Sequence, residues 1–212
     1  MIFNSLNIDQ FLTISLVHLF AVISPGPDFI IVLRQSIHNR YSGFITSLGI
    51  GCGILFHISY CILGVNFLLS NNSFLFHFIK ISGALYLSYL GLTTFLYKSN
   101  LSTMKNNGIN KDEALSTKKN DFFVGFFTNL LNPKATLFFI SLFALVIDSS
   151  TSIYLQVFYG VWMSLVTALW FCLVSLLISS YYLNIVINKY FTLLNRFMGI
   201  LLILISIKMI FI

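Results

Sequence analysis

Residues 20–29 read Phe-Ala-Val-Ile-Ser-Pro-Gly-Pro-Asp-Phe, and residues 128–137 read Thr-Asn-Leu-Leu-Asn-Pro-Lys-Ala-Thr-Leu. Both stretches lie deep inside apolar runs. Proline removes a backbone donor and crowds the carbonyl four residues earlier. A regular helix is therefore not expected through Ser24-Pro25-Gly26-Pro27, and Asn132-Pro133 should bend or break its own helix. Pro25 and Pro133 stand 108 residues apart in a chain of 212. Weaker landmarks pair at similar separations: Gly49 with Gly160, Lys80 with Arg196, and Gly83 with Gly199.

The surroundings of these two stretches set the class. Hydrophobic residues make up 58% of the chain and charged residues 8%, against about 25% charged in a soluble domain. Mean hydropathy is +0.91. Such a chain cannot cover itself with polar surface, which excludes a soluble enzyme, a nucleic-acid binder and a disordered protein. Membrane lipid is the expected surrounding, and 23 Phe with 10 Tyr suit it. The net charge of +6 then belongs to loops between spans, not to a nucleic-acid surface.

Six runs are long enough to cross a bilayer, which takes about 20 apolar residues. They are 10–32, 41–69, 74–97, 122–147, 152–183 and 190–211. None alternates with period two, so a β-barrel is disfavoured. The expected fold is an all-α integral membrane protein of six transmembrane helices, with helices 1 and 4 broken at the proline motifs. One connection is long and polar. Residues 99–120 carry Lys105, Lys111, Lys118 and Lys119 with Asp112 and Glu113. They divide the chain into a first repeat (1–98), a basic cytoplasmic linker and a second repeat (121–212). Nine Lys and Arg fall on one side of the six spans, among them Arg34, Arg40 and Arg196, against Lys80 and Lys208 on the other. The richer side is expected to be cytoplasmic, and both termini periplasmic.

Three spans per half is an odd number, so the second half must cross the membrane upside down. Inverted repeats with interrupted helices at matching positions point to a substrate site near the bilayer midplane, as in secondary transporters. Asp28 and Lys134 follow the two breaks. An ionised side chain at that depth costs about 2.5–3.5 kcal/mol and usually faces the bundle interior. Their opposite signs suit pairing, or a zwitterionic ligand bracketed between them. Asp28 also fits a helix cap, and Lys134 a cation snorkelling to the interface. Ser24, Asn129 and Asn132 add polar groups beside the breaks, and Tyr86 is the expected contact from the third helix. Gly43, Ser47 and Gly51, with Gly49 and Gly53, have small-residue spacing for close helix approach. His18 and His57 are expected to be packed histidines, with titration in a proton pathway as the alternative. Cys52, Cys61 and Cys172 lack metal-site spacing. Catalytic residues, metal and cofactor are not expected.

At these residues the chain resembles the LysE/RhtB family of amino-acid exporters. The resemblance rests on S-P-G-P-D-F (24–29) with V-L-R-Q-S (32–36), on I-S-G-A-L-Y-L-S-Y-L-G (81–91), and on G-F-F-T-N-L-L-N-P-K-A-T-L-F-F (125–139). It implies export of amino acids or close derivatives from a bacterium across its inner membrane, with protons or the membrane potential as the driving force. Its motif residues fall here on Pro25, Gly26, Pro27, Asp28, Asn129, Asn132, Pro133 and Lys134. Exposed N–H groups near Gly26 or Ala135, helped by Lys134, would hold a carboxylate. Asp28 would bind the α-ammonium or a coupling proton, giving antiport with alternating access. A passive channel, or an exporter of another small solute, remains open as an alternative. A homodimer through the small-residue second span is a possible further partner.

Overall fold

The computed structural model describes residues 8–71, 73–97, 118–147, 150–178 and 181–210. Every regular element among the described residues is a helix: α1 (Ile8–Ile23), α2 (Pro27–His38), α3 (Arg40–Asn71), α4 (Ser73–Leu96), α5 (Lys118–Leu130), α6 (Pro133–Val146), α7 (Ile153–Ile178) and α8 (Tyr181–Ile210). Both interruptions fall at the proline motifs. α1 stops at Ile23, because a residue before proline is pushed out of helical geometry. α2 and α6 each start on a proline, whose fixed φ suits a first turn and whose missing donor costs nothing there.

Arg40–Gly64, Phe74–Leu96 and Ile153–Leu177 are each long and apolar enough to span a membrane. Two further spans arise if each broken pair counts as one: Ile8–Ile23 with Pro27–Ile37, and Asn120–Leu130 with Pro133–Val146, both bent by 56°. The sixth apolar run falls on α8. That helix begins at Tyr181, so the tail of the expected fifth run belongs to its successor. Lys118 already opens α5, so the end of the expected linker is helical; residues 98–117 lie outside the described residues.

α3 packs along α5 and α7, while α4 packs along α8 and α6. Glycines set the closeness of these crossings. A Cβ on Gly49 would strike the Phe122 carbonyl, and one on Gly125 the Thr46 carbonyl. Gly91 and Gly199 oppose each other in the same way between α4 and α8. Lipid and side chain are about equally apolar, so helices in a bilayer associate through close backbone approach of this kind. The buried centre holds Val17, Leu87, Leu142, Tyr159, Met163 and Leu202. Phe74, Phe78, Leu85 and Tyr89 of α4 point outward. The two breaks meet between these layers.

Candidate functional site

At the first break Gly26 is extended, at φ −161° and ψ −170°, and offers no side chain to cap α2. Help comes from the other half of the chain. Lys134, in the first turn of α6, sends its Nζ to Ser24 O (2.9 Å), Ser24 Oγ (3.1 Å) and Pro25 O (3.4 Å). The cation therefore sits on carbonyls that the interruption of α1 has freed, where the helix C-terminus favours positive charge. Ser24 Oγ also meets Thr94 Oγ1 at 2.7 Å, and Thr94 donates to Leu90 O at 2.7 Å. Each hydroxyl has one proton. The donation therefore runs one way, from Lys134 to Ser24 to Thr94 to the α4 backbone.

The second break satisfies itself. Asn132 accepts from the Lys134 backbone N–H at 3.0 Å, capping α6. Its own N–H goes to Asn129 O at 2.9 Å. That carbonyl also meets His57 Nε2 at 3.0 Å. A carbonyl can only accept, so His57 carries its proton on Nε2, and Nδ1 accepts from the Tyr60 hydroxyl. Asn129 Nδ2 then reaches back to the first break and donates to Asp28 Oδ2 at 2.8 Å. Gly53 makes room for this amide, since a Cβ there would come within 2.7 Å of Asn129 Oδ1.

Each break thus supplies a side chain to the other. Asp28 and Lys134 both line one partly open cavity, and their hydrogen bonds go to Asn129 and to Ser24 and Pro25. Asp28 Oδ1 is buried without a hydrogen bond. Ser24, Gly26, Asn129 and Asn132 complete the polar end, and Ile54, Phe138, Phe139 and Phe171 supply apolar wall. Opposite charges at one end and an apolar wall beyond suit a small zwitterion with a short side chain.

Four residues expected at the site lie outside the lining. Pro27 and Pro133 are exposed and serve as first residues of their helices. Pro25 contributes only its carbonyl to Lys134. Tyr86 donates to Lys134 O at 3.3 Å, so it holds the backbone of α6 without lining the cavity. Pro27 opens α2 and Pro133 opens α6, so Asp28 and Lys134 are each the second residue of their helix.

The structure adds Thr167 of α7 to the lining, together with His18, read from sequence as a packed histidine. Thr167 was visible as a hydroxyl within an apolar run. Phe138 and Phe139 end the third motif, 125–139, but nothing in it separated a cavity wall from lipid-facing phenylalanine.

The family described as LysE type translocator matches residues 19–211. The chain is 31% identical over 144 residues to the threonine efflux protein of Escherichia coli (strain K12), covering 66% of this chain and 68% of that one. It is 33% identical over 133 residues to the leucine efflux protein of Salmonella choleraesuis, covering 61% and 59% respectively. An uncharacterized membrane protein of Bacillus subtilis is 32% identical over 155 residues, with 71% of this chain and 74% of that one covered. No solved structure is significantly similar.

Proposed function

Because the chain belongs to the family of LysE type translocators, we propose that it exports amino acids or close derivatives across a bacterial inner membrane by secondary transport. The family is one of translocators, not of enzymes. One observation carries the choice of substrate: a carboxylate with an unbonded oxygen and an ammonium face one cavity. An α-amino acid answers both. Its ammonium goes to Asp28 Oδ1. Its carboxylate goes to the start of α2, where Gly26 leaves the positive end of a helix without a side-chain cap, and Lys134, whose three donors are held by Ser24 and Pro25, contributes its charge nearby. α6 is the poorer carboxylate site, because Asn132 already caps it. The printed names of the threonine and leucine efflux relatives support the same substrate class.

In this reading the chain has six spans in two inverted three-helix repeats, 1–98 and 121–212, joined by the basic linker. The broken pairs, and the matching positions of Asp28 and Lys134, support that arrangement. The linker lies in the cytoplasm and both termini in the periplasm, by the distribution of Lys and Arg. One repeat rocks on the other around the cavity. Proton and α-ammonium compete for Asp28, so the inward movement of one accompanies export of the other.

The test is export from cells loaded with a mixed panel of dipeptides, comparing the wild type with Asp28→Asn. One or a few amino acids should accumulate outside against their gradient for the wild type only, with both proteins present in the membrane. Export by Asp28→Asn at the wild-type rate would remove Asp28 from the mechanism. Equilibration that never rises above the internal concentration would make the protein a channel.

A further inference from the structure

His18 is fully buried, at 0% exposure, and lines the cavity. It lies six residues before Ser24 on α1, about 9 Å of helix from the point where Lys134 is anchored. Its Nε2 meets Thr167 Oγ1 of α7 at 3.0 Å. Its Nδ1 is buried without a hydrogen bond. Phe138 and Phe139 flank the ring, with centroids 6.3 Å and 6.0 Å away. One polar edge of an otherwise apolar pocket end is therefore held in place and left unsatisfied.

We infer that His18 Nδ1, oriented by Thr167, reads the side chain of the transported amino acid and selects a short hydroxylated one over an alkyl one. This rests on the exporter reading above and specifies what distinguishes one substrate from another. With the zwitterion held between Asp28 and Lys134, the side chain extends towards His18. His18, Asp28 and Lys134 line the same pocket, so the group that meets Nδ1 belongs to a side chain that starts beside the charged pair. The chemistry also favours a hydroxyl. A neutral imidazole has one donor and one acceptor nitrogen, and Thr167 occupies one of them without fixing which. A hydroxyl both donates and accepts, so it satisfies Nδ1 in either tautomer. A methyl group in the same place leaves Nδ1 buried and unpaired, a state that polar sites reject strongly. The aromatic wall accepts the methyl that a branched hydroxylated side chain also carries. Thr167 is a positioning residue here, since it acts through the imidazole.

Threonine and valine are the probes, being close in shape and differing by hydroxyl for methyl. Export of each is measured from cells carrying the full chain and loaded with the matching dipeptide, with membrane levels checked by immunoblot. The wild type should export threonine about tenfold faster than valine or more. His18→Leu should bring that ratio close to one, and His18→Gln, which keeps a donor and an acceptor, should retain more of it. Thr167→Val should fall between the wild type and His18→Leu. If His18→Leu does not reach the membrane, the ratios of the other two variants decide. A wild type that exports both equally, or a ratio unchanged in the variants, overturns the role of His18 and leaves the exporter standing. A wild type that exports no amino acid overturns both.

Discussion

The two breaks bend by the same 56° and open their second helices on the same residue type, yet they are finished in opposite ways. The second is capped by its own residues: Asn132 caps α6 and sends its N–H to Asn129 O, which His57 of α3 also reaches. The first has Gly26 where the second has Asn132, so nothing local caps α2. Its freed carbonyls are covered by Lys134 from the other half of the chain. Backbone exposed at membrane depth must be satisfied by protein or by a watered cavity. The comparison teaches that the second break is a finished structural joint, while the first depends on a borrowed cation and keeps a helix start available.

Removing that cation should have the largest effect. Lys134→Met strands Ser24 O and Pro25 O together and should lower stability in detergent by about 2–3 kcal/mol, with loss of export. Thermal unfolding within about 0.5 kcal/mol of the wild type would show that the first break does not depend on the second. Next comes the cap that only the second break has. Asn132→Ala should cost about 1 kcal/mol, whereas Gly26→Ala should leave stability nearly unchanged. Gly26 is extended, and its new Cβ would meet Lys134 Cδ at 3.2 Å and Nζ at 3.4 Å, which a shift of a few tenths of an ångström relieves. Equal unfolding shifts for the two variants would erase the asymmetry. A smaller effect than loss of the cap belongs to Tyr86→Phe, which loses one 3.3 Å bond to Lys134 O. It should cost about 0.5 kcal/mol and leave the initial export rate within about twofold of the wild type; a larger drop would put Tyr86 in direct contact with substrate.

Much of this was legible before any fold was drawn. All three prolines of the chain stand at the two breaks, and a proline in an apolar run marks an interruption by sterics alone. Asp28 and Lys134 stood out because ionised groups are expensive at that depth. Their partners were not legible. Lys134 bonds residues about a hundred positions away, as does Asn129. Asp28 and Lys134 line one pocket, as the bracketing alternative expects, while their hydrogen bonds go to an amide and to a helix end. Tyr86, the expected contact from the third helix, reaches the backbone of Lys134.

By itself, then, the sequence determined that the chain is a helical membrane protein, where its helices break, and which charges lie beside the breaks. Each of these follows from local quantities: hydropathy, the missing proline donor and the cost of an isolated charge. Tertiary structure alone decided which faces meet. A span that is apolar all round carries no periodic stripe to show which side is buried. So only packing could bring His18 and Thr167 into the cavity and send Tyr86 behind α6.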